Sequence, residues 1–296
     1  MTRQLPLQPA ENRAGRTTFT VDVEDHRPED GPAGGCSPRY EGMTRRLLDF
    51  LEAHGVAGTF FIDGELARRS PSLVREIAAR RHEIGSHSYR HVTLECETPA
   101  GFAAGIAAAK ARLEDLSGAA VLGFRAPAFS VTPPTCWAID VLGHAGFAYS
   151  SSVVPGPALV GGYPGAPRRP FLWPNGLLEI PCPVGTIGRW AVPFRGGMYL
   201  RYLPPWRYRR LQAQLGEQAD WTYCHPYDID GKESFARLPG RGWIVSLLLR
   251  ANRGITLRRW HRLAAHPAPP FAARLPELRA AAVLFEGQGS APDPEA

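Results

Sequence analysis

Cysteine is scarce in this chain, and its distribution excludes one class of protein at the outset. Five cysteines occur among 296 residues, and they are scattered, odd in number and unpaired by spacing. A small secreted domain held together by disulfides would carry an even set of cysteines at regular spacings. We therefore expect no disulfide framework and a reducing compartment.

Long apolar runs are absent as well. Residues 1–5 lead into a polar, proline-containing stretch that lacks the apolar core of a signal peptide. No run elsewhere is long and apolar enough to predict a membrane-spanning helix. These absences predict a cytoplasmic protein without a transmembrane segment, whereas peripheral contact with a membrane stays open.

Nucleic-acid binding is disfavoured, although the chain is basic. The net charge is +6 and the pI is near 9.3, but much of the excess is arginine spread along the chain. Two arginine clusters, at 207–210 and 250–259, could form a basic patch. Neither is accompanied by a zinc-finger or RNA-binding signature, so we expect a generally basic protein with no nucleic-acid partner.

What the chain does contain is an alternation of strand-like and helix-like segments. We predict strands at 17–23, 58–62, 83–86, 121–124, 147–150, 177–180 and 221–224. Between them, helical spacing predicts helices at 43–54, from Pro71, at 98–116 with Thr98 as N-cap, and at 135–144. Two further amphipathic stretches follow at 243–250 and 257–265. Repeated βα units predict an α/β fold with a mainly parallel sheet, closed or nearly closed into a barrel.

The domain organisation follows from the same alternation. A hydrophobic content of 44% is enough for one large domain with a buried core. We place that domain at 17–287, between a flexible N-terminus at 1–16 and a disordered tail at 288–296. The Gly/Pro-rich stretch 28–38 predicts a loop. Residues 155–205, which are rich in Gly, Pro and aromatic residues, predict long active-site loops rather than a second domain.

Two histidines four residues apart, His87 and His91, follow the third predicted strand. One helical turn would bring both imidazoles to one side of the backbone, although such pairs also occur in solvated and core positions. Two other motifs favour a metal site: the acidic cluster Asp22-Val23-Glu24-Asp25 ends the first predicted strand, and His225 follows the last one. Oxygen and imidazole ligands suit a borderline divalent ion. We expect Zn²⁺, with Co²⁺, Ni²⁺ and Mn²⁺ as alternatives.

Several motifs then fall in one order along the chain: Thr20-Val21-Asp22-Val23-Glu24-Asp25, Gly58-Thr59-Phe60-Phe61, His82-Glu83-Ile84-Gly85-Ser86-His87-Ser88-Tyr89-Arg90-His91, Gly123-Phe124-Arg125-Ala126-Pro127-Ala128-Phe129-Ser130, Gly196-Gly197-Met198-Tyr199 and Tyr223-Cys224-His225-Pro226-Tyr227-Asp228. In this set the chain resembles the polysaccharide deacetylase family with the NodB homology fold, which is carbohydrate esterase family 4-like. Within it, the chain is similar to the cytoplasmic, exopolysaccharide-associated branch whose first motif reads Asp-Val-Glu-Asp. The resemblance implies a distorted (β/α) barrel with fewer than eight full units and long Gly/Pro-rich loops.

The resemblance also implies a chemistry, metal-assisted hydrolysis of an N-acyl bond on an N-acetylated amino sugar. Asp22 matches the base that takes the proton of the attacking water, and Arg125 would hold Asp22 ionised and oriented. His225 matches the acid that protonates the departing amine. The metal would be held by His87, His91 and one carboxylate. Backbone N–H groups around Ala128 and Phe129 could complete an oxyanion hole.

Two departures from the family pattern leave details open. The carboxylate ligand is ambiguous: strand alternation puts Glu24 on the same face as Asp22, which favours Glu24, whereas a bulge at the strand end would favour Asp25. We expect Glu24. The second departure is Tyr227-Asp228 where the closest branch usually has Trp-Glu, together with Ser150 where it usually has Asp. We expect these residues to shape the substrate pocket rather than to carry chemistry.

The leading functional hypothesis is a cytoplasmic hydrolase acting on carbon–nitrogen bonds other than peptide bonds. It would deacetylate a GlcNAc-type unit of a glycan or glycan precursor in exopolysaccharide biosynthesis. One alternative is hydrolysis of another linear or cyclic amide, such as a formamide or a ureide. Another is a catalytically inactive carbohydrate-binding protein, which the intact Asp22, Arg125 and His225 disfavour. The sequence does not indicate the oligomeric state.

Overall fold

The computed structural model describes residues 16–25, 39–233, 235 and 242–286. Three predicted segments lie outside these residues: the N-terminal lead-in apart from Arg16, the Gly/Pro-rich loop at 28–38 and the C-terminal tail. The domain boundaries at 17 and 287 stay predictions.

Eleven strands form the β structure of the described residues: β1 (Thr18–Val23), β2 (Thr59–Ile62), β3 (Glu83–Ser86), β4 (Gly123–Phe124), β5 (Tyr149–Ser150), β6 (Phe171–Leu172), β7 (Leu178–Glu179), β8 (Gly185–Ile187), β9 (Trp190–Val192), β10 (Trp221–Cys224) and β11 (Val283–Leu284). Nine of them make one sheet in the order β10-β1-β2-β3-β4-β5-β7-β6-β11, and β8 pairs with β9 separately. Every ladder of the large sheet is parallel except the one between β6 and β7. The predicted α/β fold with a mainly parallel sheet is confirmed.

In the described part of the chain, ten α-helices accompany the strands: α1 (Tyr40–Ala53), α2 (Gly64–Arg69), α3 (Pro71–Ala79), α4 (Pro99–Ser117), α5 (Trp137–His144), α6 (Gly197–Tyr202), α7 (Pro205–Gln212), α8 (Trp243–Arg250), α9 (Ile255–Leu263) and α10 (Phe271–Ala280). The long helix α4 starts where its sequence predicts, because the Thr98 side chain accepts a hydrogen bond from the Gly101 amide. It ends at Gly118, which has a φ of 68° in the left-handed region that glycine favours.

The large sheet is covered on both faces. Successive residues of a strand point to opposite faces, and β2 illustrates the result: Phe60 belongs to one apolar cluster and Phe61 to another. The Phe60 cluster contains Leu47 of α1 and Leu73 of α3, whereas the Phe61 cluster contains Trp221 of β10 and Phe271 of α10. A parallel sheet buried in this way leaves the carboxyl ends of its strands as the place where polar side chains gather.

The structure does not exclude the closed or nearly closed barrel that the sequence predicts, although no ladder closes it among the described residues. Among the described residues the strand order begins with β10 and ends with β11, and no ladder joins those two strands. At the β10 edge, Gly196 forms an isolated bridge with Tyr223. The predicted loop region 155–205 also contains β6 to β9 and all of α6, so it is more ordered than its Gly/Pro content indicates.

Candidate active site

Four parallel strands bring the predicted polar residues to one edge of the sheet. Asp22 lies near the end of β1 and Glu24 follows that strand, while His87, Arg125 and His225 come directly after β3, β4 and β10. Because β10, β1, β2, β3 and β4 are consecutive neighbours in a parallel sheet, their carboxyl ends meet. The structure therefore brings together residues that are up to two hundred positions apart in the chain.

Glu24, His87 and His91 form a group that could hold a metal ion, because one ligand atom from each lies within 4.8 Å of the others. The Oε2 atom of Glu24 is 3.5 Å from Nε2 of His87 and also contacts Nε2 of His91. His87 and Glu24 are buried, whereas the His91 side chain is 38% exposed. Two imidazoles and one carboxylate suit Zn²⁺ or a similar ion, and the partly exposed His91 leaves one side of the group open.

The orientation of His87 fits metal binding. Its Nδ1 donates a hydrogen bond of 2.8 Å to the backbone carbonyl of Arg125. A neutral imidazole that donates from Nδ1 keeps its lone pair on Nε2, which is the atom that faces Glu24. The donor set and its tautomer therefore fit a divalent metal.

Glu24 stays anionic at this position. Burial alone would raise the pKa of its carboxyl, but His91 and His225, together with hydrogen bonds from the imidazoles, hold the pKa well below its usual range. Its other oxygen, Oε1, accepts a hydrogen bond of 2.9 Å from the Tyr227 hydroxyl. Burial lowers the pKa of His91, but Glu24 outweighs that effect and raises it. Metal binding would thus displace a proton from His91.

Asp25, the alternative ligand, lines a neighbouring cavity together with Tyr40, Asp63 and Arg69, and His91 of the Glu24 group lines that cavity too. Asp25 itself is not a member of the Glu24 group. The reason is the alternation of an extended chain, which places Glu24 on the same side as Asp22. The ligand role of Glu24 itself remains a proposal.

Arg125 holds Asp22 in place. Its Nη1 donates to Oδ1 of Asp22 at 2.7 Å and to the Thr20 hydroxyl at 2.8 Å. Its Nε and Nη2 donate to the backbone carbonyl and the hydroxyl of Ser151, both at 3.1 Å. Arg125 is completely buried, so a charge-assisted contact with Asp22 in this position is stronger than one at the surface.

Two aromatic rings sandwich the same guanidinium group. The centroids of Phe61 and Trp221 lie 4.2 and 4.3 Å from the Cζ atom of Arg125, a distance at which the ring faces attract a cation. Gly85 of β3 makes room for this arrangement, because a Cβ atom there would lie 2.6 Å from the Phe61 ring. The glycine in the third motif thus allows Phe61 to support Arg125.

His225 faces both carboxylates of the site. Its Nε2 lies 3.9 Å from Oδ2 of Asp22 and 3.8 Å from Oε1 of Glu24, while its Nδ1 donates to Oδ2 of Asp228 at 2.7 Å. Burial lowers the pKa of His225, but Glu24 and Asp228 more than reverse that effect and raise it to about 9. The imidazole is therefore a cation at neutral pH and can act as a proton donor.

Tyr227 and Asp228 line the site cavity, as expected of residues that shape the pocket, and they also contact His225. Asp228 is buried against His225, and Nη2 of Arg201 forms an ion pair with its Oδ1 at 3.3 Å. The Tyr227 ring stacks on the His225 ring with centroids 4.7 Å apart. A histidine followed three residues later by an acid, across a short turn, is the sequence signal that indicates this pairing. No comparable signal precedes Arg201.

Ser150, by contrast, differs from the expectation that it shapes the pocket. It is completely buried, and its hydroxyl donates to the Ser152 hydroxyl at 2.8 Å, which in turn accepts from the Ala126 amide at 2.9 Å. Ser150 does not line the site cavity. It supports the backbone next to Arg125.

Of the two backbone amides expected to form an oxyanion hole, those of Ala128 and Phe129, one is already engaged in a hydrogen bond. Ala128 and Phe129 have φ values of 53° and 52°, in the left-handed region that is uncommon for such residues. The Phe129 amide already donates to the Ala126 carbonyl at 3.1 Å. Ala128 lines the cavity, so its amide is the candidate that remains.

The candidate site contains a cavity of about 200 Å³. Its polar floor comprises Asp22, Glu24, His87, His91, His225 and Asp228, and its largely apolar wall includes Ala126, Ala128, Phe129, Val154, Val160, Pro193, Met198, Tyr199 and Leu249. A cavity with a few polar groups at one end and an apolar wall is suited to a small acyl group.

Comparison with protein families divides the chain at about residue 150. Residues 29–147 match the family model described as polysaccharide deacetylase, and residues 151–269 match a domain of unknown function, DUF3473. The family model and the curated relatives together support a polysaccharide deacetylase domain in this chain. The first segment contains His87, His91 and Arg125, and the second contains His225 and Asp228.

Curated relatives match a shorter stretch. Over 60 residues, 20% of the chain, it is 40% identical to the peptidoglycan-N-acetylmuramic acid deacetylase PdaA of Bacillus subtilis, 23% of which is covered. It is 44% identical over 52 residues, 18% of the chain, to a peptidoglycan-N-acetylglucosamine deacetylase of Bacillus cereus, of which 19% is covered. The matched region thus spans about a fifth of the length of these relatives.

Similarity in fold extends over nearly the whole chain. A crystal structure from Mycobacterium smegmatis, of a protein assigned as a polysaccharide deacetylase, superposes with a TM-score of 0.59 at 20% identity. The superposition covers 98% of this chain and 100% of the other. At that identity the match describes the fold. Within the described residues, none of the helices has the length and hydrophobicity needed to cross a membrane.

Proposed function

We propose that this chain is a metal-dependent hydrolase that removes the N-acetyl group from a GlcNAc-type amino sugar. The observation that carries the proposal is the convergence on one cavity of a carboxylate held by arginine, a Glu-His-His group and a cationic histidine. Amide hydrolysis needs a base for water, stabilisation of an oxyanion and an acid for the amine. The names of the curated relatives, which are deacetylases of amino sugars, support the choice of substrate.

Glu24, His87 and His91 are the residues that would hold the metal. When bound, a divalent ion supplies Lewis acidity for the acyl carbonyl and the attacking water. Zn²⁺ is our first choice because two imidazoles and a carboxylate are common ligands of that ion. The Arg125 carbonyl fixes the His87 ring, and the Tyr227 hydroxyl fixes the Glu24 carboxylate.

Asp22 would accept the proton of the attacking water. Arg125 binds one oxygen of its carboxylate, and the other, Oδ2, faces His225 and is the atom left for the proton. The water oxygen forms a bond to the acyl carbon, and the carbon–nitrogen bond then breaks. Ala128 lines the cavity, and its backbone amide would stabilise the oxyanion.

His225 would give its proton to the departing amine. Asp228 holds the ring through Nδ1, so Nε2 is the nitrogen that faces the cavity and carries the transferred proton. The products are acetate and a free amino sugar. The small cavity and its apolar wall favour an acetyl group over a bulkier acyl group.

The test combines metal analysis with acetate release. The purified chain is loaded with Zn²⁺ and assayed on N-acetylglucosamine oligomers, with Asp22→Asn as the matched inactive variant. We expect acetate release by the wild type, and a rate about 10²–10⁴-fold lower in Asp22→Asn at equal metal content. Glycan binding without hydrolysis or metal would instead identify a binding module. Hydrolysis of formamides or ureides in place of the oligomers would identify a different amidase.

A further inference from the structure

Helix α8 has its apolar side chains on the outside. Trp243, Ile244 and Leu247 are 60%, 71% and 45% exposed, and Val245 and Leu248 are exposed as well. The one buried residue of this helix is Ser246, whose hydroxyl donates to the Gly242 carbonyl. A surface helix of a soluble protein normally buries its apolar stripe. Exposed apolar groups in such a cluster mark a contact surface.

The C-terminal end of α8 is fixed to the rest of the protein. Nη1 of the buried Arg201 donates to the carbonyls of Leu249 and Ala251 at 2.9 and 3.1 Å. The Tyr202 hydroxyl donates to the Leu248 carbonyl at 2.7 Å. Since Arg201 also pairs with Asp228 of the candidate site, the helix is held next to the catalytic groups with its apolar side outward.

Apolar side chains also flank the opening of the site. Leu249, at the end of α8, and Val160, on the loop after β5, both line the site cavity. Val160 and its neighbour Leu159 are 62% and 72% exposed. The loop after β5 and helix α8 therefore each contribute a residue to the cavity wall, and each also carries exposed apolar side chains. We call Leu159, Val160 and the exposed side chains of α8 the apolar rim.

The segment that carries α8 has no acidic residues, and neither has the segment that carries α6 and α7. No Asp or Glu occurs between Glu179 and Glu217, or between Glu233 and Glu277, whereas both segments are rich in arginine. The described arginines that are exposed there are Arg189, Arg207, Arg209, Arg210, Arg258 and Arg262. Trp206, 58% exposed, lies at the start of α7 with the Arg207 guanidinium 5.0 Å from its ring. Exposed tryptophan beside arginine is typical of the interface between lipid headgroups and acyl chains.

We propose that the apolar rim and the arginines of α7 dock on an anionic lipid bilayer, so that the site cavity opens toward the membrane surface. A short helix with an apolar outer side and flanking cations fits a bilayer interface. A second copy of the chain fits less well, because it would bring the same acid-free, arginine-rich segments against each other. The proposal does not depend on the proposed hydrolysis, and its test contains no substrate.

Sedimentation with lipid vesicles measures the docking. The wild-type chain should bind vesicles of phosphatidylcholine with about 30% phosphatidylglycerol, bind pure phosphatidylcholine more weakly, and dissociate at high salt. The double variant Ile244→Ser/Leu247→Ser should lower the partition coefficient about tenfold or more. Leu284→Ser is the matched control, because Leu284 is 81% exposed on β11 and lies outside the rim. Far-UV circular dichroism verifies that each variant is folded.

A second pair of variants tests the charges. Arg207→Gln/Arg210→Gln should lower binding to the anionic vesicles about tenfold and leave binding to neutral vesicles unchanged. The control is Arg75→Gln/Arg112→Gln, which removes two exposed arginines from α3 and α4. Equal binding by all variants would overturn the proposal. So would wild-type self-association in the absence of vesicles that Ile244→Ser/Leu247→Ser abolishes, since the rim would then be an interface between copies.

Should the double serine variant fail to fold, quenching by brominated lipids gives an independent measurement. Tryptophan fluorescence of the wild type should be quenched by brominated acyl chains, and the quenching should decrease in Trp243→Leu. Undiminished quenching in Trp243→Leu and in Trp206→Leu would contradict the docking face.

Discussion

His87 and Arg125 are joined by a hydrogen bond of 2.8 Å from the imidazole Nδ1 to the backbone carbonyl, while the side chain of the same arginine binds Asp22 at 2.7 Å. One residue thus positions a proposed metal ligand through its backbone and the proposed base through its guanidinium. The two functions can be separated by substitution, because only the second depends on the side chain.

Replacement of Arg125 by lysine should therefore affect rate and leave metal content unchanged. Lysine keeps a positive charge but cannot bind Asp22, Thr20 and Ser151 at once in a fixed plane. We expect kcat/KM to fall about 10²-fold, the size of effect that a misplaced catalytic group produces. Elemental analysis and steady-state kinetics measure the two quantities. The control is Arg195→Lys, since Arg195 is equally buried but pairs with Asp220 outside the cavity. Loss of metal in Arg125→Lys would contradict the separation.

The choice of carboxylate ligand can be tested by a matched pair of neighbours. Glu24→Gln should lower metal affinity by about 10²-fold or more, because a three-ligand site loses one anionic ligand. Asp25→Asn should leave the affinity unchanged, since Asp25 lines the adjacent cavity. Titration with a competing chelator measures both. His87→Ala and His91→Ala should behave like Glu24→Gln, and the reverse order between Glu24 and Asp25 would move the ligand to Asp25.

Asp228 should set the alkaline limit of activity. Its carboxylate is among the groups that raise the pKa of His225 to about 9, so Asp228→Asn should lower that pKa. The protonated imidazole is the active form, and activity is lost as pH rises through its pKa. The alkaline limb of kcat/KM should therefore move to lower pH by about one unit. Asp230→Asn is the control, because that carboxylate pairs with Arg39.

The leaving group gives a separate criterion for the acid role of His225. The loss caused by His225→Ala should be smaller on an aryl ester than on an alkyl amide, since an aryl oxide needs little protonation. Equal losses on both substrates would leave His225 as a positioning residue. An unchanged alkaline limb in Asp228→Asn would assign that limb to another group.

His82 should make the fold sensitive to acid, independently of the metal. Burial, with a contribution from Arg80, lowers the pKa of His82 to about 4, and its Nδ1 accepts a hydrogen bond from the Gly58 amide at 3.0 Å. The unfolded chain takes up this proton near pH 6.5, whereas the folded chain does not, so the free energy of unfolding falls as pH drops below 6.5. We expect His82 to account for about 2 kcal/mol of the loss between pH 7 and pH 5.

His82→Asn keeps an acceptor for the Gly58 amide and removes the titrating group. Urea unfolding at the two pH values should therefore show a smaller loss of stability in this variant than in the wild type. His144→Asn serves as the control, because His144 is exposed at the end of α5. An unchanged difference between the two pH values in His82→Asn would contradict the prediction.

Strong local patterns explain which elements the sequence predicts. The β-branched run before Asp22 and the Thr98 and Gly118 caps of α4 are local signals, and the structure confirms both elements. Helix α6 has no such signal, because it starts at Gly197, whose φ is 51°. Its buried Arg201 is held by α8 and Asp228, and contacts between segments this far apart leave no periodic pattern.

Local patterns likewise explain which residues of the site the sequence predicts. Strand ends and histidine spacing place Asp22, Glu24, His87 and His91 together, because they lie at the carboxyl ends of β1 and β3, the two strands that flank β2. The sequence does not predict that α8 turns its apolar side outward. Its helical spacing is that of an ordinary amphipathic helix, and only the packing around Ser246 and Leu249 reveals which side faces the protein.

The ladder between β1 and β10 has a consequence for how such a chain can be recombined. The proposed metal ligands and base come from the first half of the chain and the proposed acid from the second, and the two halves meet where Val21 pairs with Cys224. A shift of one residue in this register would turn His225 to the opposite face of the sheet, away from Glu24. A second half taken from another protein could therefore replace this one only if its histidine followed a strand that pairs with β1 in the same register.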